Sequence, residues 1–170
     1  MKCLIFSDSH GFTAPMRRAL LLHPDAEAVF FLGDGVWDFD AVASDDRTRT
    51  YLAVCGNNDF GARFRGDPPE KVASISLLGR RILLTHGHLY GARFGTGGLC
   101  RLAESVGADI VLFGHTHAPF EQYETTPSGR GLYLFNPGAV LPGFGEPSRF
   151  GLLTLTESTV LFSHGSVDLP

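Results

Sequence analysis

Long apolar runs are missing from this sequence, and so is a basic surface. No stretch approaches the ~18 consecutive apolar residues of a membrane-spanning helix. The N-terminus enters a strand at once, without the apolar core of a signal peptide. Lys2 and Lys71 are the only lysines among 14 basic residues, and the net charge is −4. The basic residues are scattered, so the arginine bias reads as composition, and broad electrostatic binding to nucleic acid is excluded. Only three cysteines occur, Cys3, Cys55 and Cys100. Their odd number and wide spacing exclude a disulfide framework and a cysteine zinc knot. Cys3 and Cys55 lie in apolar runs and read as buried strand residues. These absences together predict a cytoplasmic protein. Three catalytic signatures are also missing: the P-loop, Gly-x-Ser-x-Gly and the His-x-His-x-Asp-His run of metallo-β-lactamase-type enzymes.

What is present is a core-forming composition. Apolar residues make up 44% of 170 residues, enough for one sizeable core. No repeat, low-complexity tract or linker interrupts it, so residues 1–170 read as a single domain. The first half alternates strand and helix. Lys2–Ser7, Ala28–Leu32 and Tyr51–Cys55 are apolar strands. Between them lie a helix from Thr13, as cap, to about His23, with Pro15 in its first turn, and a short helix over Trp37–Ala43. Lys71–Leu78 and Arg80–Thr85 flank Gly79 as a hairpin. Gly97–Val106 reads as a helix stopped by Gly107, and Asp109–Phe113 as a strand. Only strand-like segments follow: Phe120–Glu124, Gly131–Phe135, Phe150–Thr156 and Thr159–Ser163.

The chemistry sits at the strand ends. Five strands run out into Asp8-Ser9-His10, Gly33-Asp34, Gly56-Asn57-Asn58-Asp59, His86-Gly87-His88 and Gly114-His115-Thr116-His117. In α/β sheets the crevice beyond the carboxyl ends of strands is where ligands bind. Neutral imidazoles, carboxylates and an amide oxygen suit Zn, Mn, Fe or Ni, and the lack of a thiolate argues against a structural zinc site. Asp-x-His and His-x-His each bring two donors on one short turn. Asp34, a lone carboxylate between them in sequence, is the natural bridge. Each piece is weak alone, since His-x-His is common surface decoration and Gly-Asp is ordinary turn chemistry. Their ordered combination is the signal.

That ordered set resembles the calcineurin-like metallophosphoesterase superfamily. Thr85-His86-Gly87-His88-Leu89-Tyr90-Gly91 and the compact size resemble its small prokaryotic YfcE-type phosphodiesterases, a branch that also holds the retromer scaffold subunit. Asn136-Pro137-Gly138 resembles a late turn of the family, and the likeness runs over about residues 2–162. It implies a four-layer αββα sandwich of two mixed sheets flanked by helices. It implies two divalent metals, with manganese favoured. Asp8, His10 and His117 would hold the first metal, Asn57, His86 and His115 the second, with Asp34 bridging.

The implied reaction is attack of a metal-bridging hydroxide on a small phosphodiester or other phosphate ester. The alternative is a non-catalytic scaffold of the same fold. Asn58 stands where larger relatives carry a His, and it cannot supply a proton near pH 7. Moderate activity on good leaving groups is therefore expected. Asp59 is expected to orient a ligand or cap its turn, and His88 to face the metals or the leaving group. Arg93, in Arg93-Phe94-Gly95-Thr96-Gly97-Gly98, is a candidate substrate contact, and Phe60–Pro69 a candidate rim. His23 and His164 read as surface residues. A homodimer is the default assembly.

Overall fold

The computed structural model describes residues 1–60 and 69–168. In chain order the elements are β1 (Lys2–Phe6), α1 (Ala14–Leu22), β2 (Ala28–Phe31), α2 (Val36–Ser44), β3 (Thr50–Ala53), β4 (Val72–Leu77), β5 (Arg80–Thr85), α3 (Gly97–Val106), β6 (Ile110–Phe113), β7 (Pro119–Thr125), β8 (Gly131–Pro137), β9 (Ser148–Leu155) and β10 (Val160–Val167). Two short 3₁₀ turns, His88–Tyr90 and Ala92–Phe94, follow β5.

Two five-stranded mixed sheets form, ordered β10-β9-β1-β2-β3 and β4-β5-β6-β8-β7. In the first, β1, β2 and β3 are parallel while β9 and β10 return antiparallel. In the second, β5, β6 and β8 are parallel, with β4 and β7 antiparallel at the edges.

The two-residue period of a strand sorts the side chains into layers. Cys3, Ile5 and Phe30 pack with Ile82, Leu84, Ile110, Leu112 and Phe135 in the layer between the sheets. Their neighbours Leu4, Phe6, Val29 and Phe31 face outward onto Met16 and Ala19 of α1 and onto Val36, Phe39 and Val42 of α2. On the other side Leu83, Val111 and Phe113 meet Leu99 and Ala103 of α3. The result is the expected αββα sandwich. The parallel strands read as unbroken apolar runs because both their faces are covered.

Several local expectations change. Thr13 occupies the N-cap position of α1, but its side chain makes no capping hydrogen bond. Leu78 leaves the strand: it and Gly79 form the hairpin turn with φ of 46° and 76°, the doubly positive geometry that matches strand twist. β10 continues past Ser163 to Val167. His23 and His164 do more than decorate the surface. His23 sits edge-on to Phe150, and His164 stacks on Phe135 while its Nε2 lies 2.8 Å from the Asn136 carbonyl oxygen. Burial pushes the Cys3 thiol up to about 12, which makes it inert. No helix among the described residues is long and apolar enough to cross a membrane.

Candidate metal centre

The carboxyl ends of β1, β2, β3, β5 and β6 converge on one edge of the sandwich, and each chain segment reverses sharply there. Asp8, His10, Asp34, His115 and His117 all have positive φ, between 44° and 69°, and among the described non-glycine residues only Leu78 joins them. A left-handed conformation costs an L-residue roughly 1–2 kcal/mol. Such strain persists where surrounding structure over-determines it, typically at functional sites. Here the reversal turns each side chain back toward the strand ends.

Two buried carboxylates anchor the cluster. Asp8 Oδ2 accepts from Ser7 Oγ at 2.6 Å and from the His115 main-chain N–H at 3.1 Å. Its Oδ1 lies 3.2 Å from His117 Nε2 and 3.9 Å from the Nε2 atoms of both His10 and His86. Asp34 Oδ2 lies 3.4 Å from His86 Nε2 and 3.9 Å from His10 Nε2. Two ligand triads result: Asp8, His10 and His117, and Asp8, Asp34 and His86. Asp8 thus belongs to both groups, while Asp34 lies within reach of a histidine from each. His115 joins through its Nδ1, 3.2 Å from His86 Nε2.

The tautomer of His86 follows from its far nitrogen. Nδ1 is 2.8 Å from the Leu32 carbonyl oxygen, an acceptor only, so Nδ1 carries the proton and donates. Nε2 is left with its lone pair directed at the carboxylates, the arrangement that orients a metal-binding imidazole. Burial opposes protonation of His86, but contact with Asp34 and the charges of Asp8 and Asp34 outweigh it and raise its pKa. Burial likewise opposes ionisation of Asp34, yet its bonds from His86 and Asn58 hold the carboxyl well below the usual range. Contact with Asp8 raises His117, whereas burial and then the neighbouring His86 depress His115. The site gathers two buried carboxylates within reach of the His10, His86 and His117 rings.

The donor set fits divalent metals. Asp8 Oδ1 and Asn57 Oδ1 are buried without a hydrogen-bond partner among the described residues. A buried unsatisfied acceptor costs ~1–3 kcal/mol, and a cation at the cluster would satisfy both. Oxygen and imidazole donors without thiolate match manganese, iron, nickel or zinc.

The supporting contacts were only partly foreseen. Asp59 is a scaffold for the Asp34 turn, not a group facing the cluster: its carboxylate accepts from the main-chain N–H groups of Asp34, Gly35, Val36 and Gly56. Asn58 also turns inward, donating to Asp34 from main chain and side chain. The β2 and β3 turns approach so closely that a Cβ on Gly56 would lie 2.1 Å from Asp34 Oδ1. His88 rests 5.3 Å from the His86 ring, and its buried Nδ1 has no partner among the described residues. Arg93 reaches the rim, its Nη2 3.5 Å from the His115 carbonyl oxygen. Of the Phe60–Pro69 rim, residues 61–68 lie outside the described residues. Two positioning residues were missed. Asp38 accepts from Ser9 Oγ and the Gly11 N–H, both at 2.7 Å. Asn136 donates to the Gly114 carbonyl at 2.9 Å and ties the late turn to the His115 loop. The available signal for Asp38 was its place in the first turn of the helix after Gly35.

Comparison with known proteins agrees with this geometry. The calcineurin-like phosphoesterase superfamily domain matches residues 1–158. The probable metallophosphoesterase YsnB of Bacillus subtilis is 31% identical over 156 residues, covering 91% of this chain and 85% of YsnB. Phosphodiesterase YfcE of Escherichia coli is 38% identical over 80 residues, covering 46% of this chain and 37% of YfcE. In fold, the chain matches the vacuolar protein sorting 29 structure from Cryptosporidium parvum with a TM-score of 0.72, at 20% identity and 98% coverage of both chains.

Proposed function

Because this chain belongs to the calcineurin-like phosphoesterase superfamily, we propose that it is a two-metal phosphodiesterase acting on a small phosphodiester, with manganese as the favoured ion. Asp8, His10 and His117 hold one ion, Asn57, His86 and His115 the other, and Asp34 lies between them. The observation that carries this reading is Asp8 Oδ1, buried, unpartnered among the described residues and shared by both ligand triads, with Asn57 Oδ1 also buried and unpartnered after β3. When bound, two divalent ions supply a field that ionises water near neutral pH and neutralises charge on phosphoryl oxygens.

The protein's own groups govern substrate and leaving-group preference. Arg93, exposed beside the His115 loop, is placed to bind a phosphoryl oxygen. Asn58 has no proton to give near pH 7, so turnover favours good leaving groups. His88 is the other imidazole beside the cluster and the candidate to contact the leaving oxygen. The YfcE relative, named a phosphodiesterase, supports diesters over monoesters. Free Cys3, Cys55 and Cys100 support the cytoplasmic reading, and the span of the family match supports one catalytic domain.

The test is hydrolysis of bis(p-nitrophenyl) phosphate against p-nitrophenyl phosphate after loading with Mn²⁺. Faster release from the diester is expected, abolished by chelator and by Asp34→Asn. Hydrolysis that survives both would overturn the two-metal reading. No hydrolysis with Mn²⁺, Fe²⁺, Ni²⁺ or Zn²⁺ would leave a metal-binding scaffold instead.

A further inference from the structure

A cleft of about 410 Å³ opens beside His117, on the flank of the cluster formed by the loop between β8 and β9. Clefts of this size accommodate small-molecule ligands. The cleft abuts the metal ligands: His117 lines it, while its Nε2 faces Asp8 Oδ1. The loop itself is fastened to the Asp8 turn, since the Val140 and Leu141 N–H groups donate to the Ser7 and Asp8 carbonyls at 2.9 and 3.0 Å. Its lining mixes apolar side chains, Pro119, Leu141 and Pro147 among them, with polar surface from Thr116, His117 and Glu146, and one guanidinium lies in it, that of Arg149.

Arg149 forms no salt bridge among the described residues, unlike three other arginines. Arg17, Arg49 and Arg130 are each paired with an aspartate, Asp45, Asp46 and Asp109. The Arg149 Nε is buried and has no hydrogen-bond partner among the described residues. The side chain is also held in place. Its stem packs against Gly138, where an added Cβ would lie 3.0 Å from Arg149 Cδ, and its main-chain N–H donates to Ala139. Glu146 shares the cleft, but its carboxyl group lies over Gly143. A fixed guanidinium in a cleft that abuts the histidine cluster is a receptor for an anionic group.

We infer that this cleft binds one arm of the diester substrate, and that Arg149 selects phosphodiesters whose arm carries a second phosphate. The inference rests on the phosphodiesterase reading and names its substrate class. Arg149 is a specificity residue that touches the arm and leaves the reacting phosphoryl group to the cluster.

Two chromogenic diesters test it: p-nitrophenyl thymidine 5′-phosphate, and the same compound with a further phosphate on its 3′-oxygen. The doubly phosphorylated probe is expected to show a KM about tenfold lower, the scale of one charge-assisted contact. Arg149→Met should erase that preference. Arg149→Lys should restore only part of it, because an ammonium lacks the two-pronged donor. Glu146→Gln, on an exposed loop residue, should lower the KM of the doubly charged probe further. Calorimetric titration of thymidine 3′,5′-bisphosphate into chelator-treated protein reads the cleft without turnover, and Arg149→Met should weaken it by a similar factor. Equal KM values for the two probes in the wild type, or titrations unaffected by Arg149→Met, would overturn the inference. Failure to hydrolyse any diester, with Arg149-dependent binding retained, would instead overturn the phosphodiesterase reading alone.

Discussion

Asn58 grips both oxygens of Asp34: its main-chain N–H donates to Oδ1 at 2.7 Å and its side-chain amide to Oδ2 at 2.6 Å. The residue that stands where larger relatives carry a His is therefore also the clamp on the carboxylate proposed to lie between two metals. Loss of a group that orients a metal ligand typically costs ~10–100-fold in metal affinity. Asn58→Ala is expected to weaken Mn²⁺ binding by about tenfold at the low end of that range, measured by competition with a fluorescent chelator. Unchanged affinity would mean that the clamp is dispensable. Asn58→His should add general acid help, worth up to ~10²–10⁴-fold, and so accelerate alkyl leaving groups more than p-nitrophenolate. Equal acceleration of both would refute that role.

Asp59 holds four main-chain N–H groups, from three successive residues of the β2 turn and from Gly56. Asp59→Ala leaves these donors without their acceptor, at a cost of ~1–3 kcal/mol. For a chain of this size that lowers Tm by roughly 2–12 °C. Differential scanning fluorimetry in chelator reads the stability loss, and metal titration should show a parallel loss of affinity. A stable variant with wild-type metal affinity would contradict the scaffold role.

The left-handed residues make stability and metal binding oppose each other. His10 has a φ of 44°, which glycine adopts freely. His10→Gly should stabilise the metal-free protein by about 0.5–1 kcal/mol, part of the ~1–2 kcal/mol of relieved strain being offset by the freer unfolded chain. It should also weaken binding at the first metal position. Leu78→Gly, at a φ of 46° in the hairpin turn, is the control: similar stabilisation, metal binding intact. Urea titrations in chelator, paired with Mn²⁺ binding, separate the two. Destabilisation by His10→Gly in the metal-free state would show that strain there is negligible.

Asp46 shapes the acid response, away from the site. Its carboxylate accepts from the Thr48 main chain and hydroxyl and from Tyr51 Oη, and pairs with Arg49. These bonds, the Thr48 hydroxyl foremost, overcome partial burial and hold its pKa well below the usual carboxylate value. Because the folded pKa is the depressed one, the stabilisation is present above the unfolded value of ~3.9 and fades as pH falls below it. Asp46→Asn should therefore lower the urea midpoint at pH 7, with a deficit that shrinks below about pH 4 yet persists in part near pH 3. A deficit of equal size at both pH values would exclude an ionic origin. Tyr51, raised to about 12 by burial and by its bond to Asp46, stays protonated throughout that range.

While the αββα order of layers came from the family resemblance carried by the five polar clusters that end five strands, residue type and local period determined the strands, the helices and those clusters. Those properties are local: a strand alternates its faces every residue, and Asp, His or Asn after an apolar run is visible without knowing where the run goes. What the tertiary structure alone decided involves partners far apart in the chain. Asp8 belongs to both ligand triads because β1 lies at the middle of its sheet and faces the His86 and His117 loops of the other. Asp59 points to four amides up to 25 residues away instead of to the cluster. Asn58 turns onto Asp34, and the Arg149 Nε is left without a partner among the described residues. The left-handed backbone at Asp8, His10, Asp34, His115 and His117 falls on residue types enriched in that region, but the types alone do not say which of them will adopt it. It arises because the packed sheets force each chain to turn at its strand end, and the surrounding contacts outweigh the local cost.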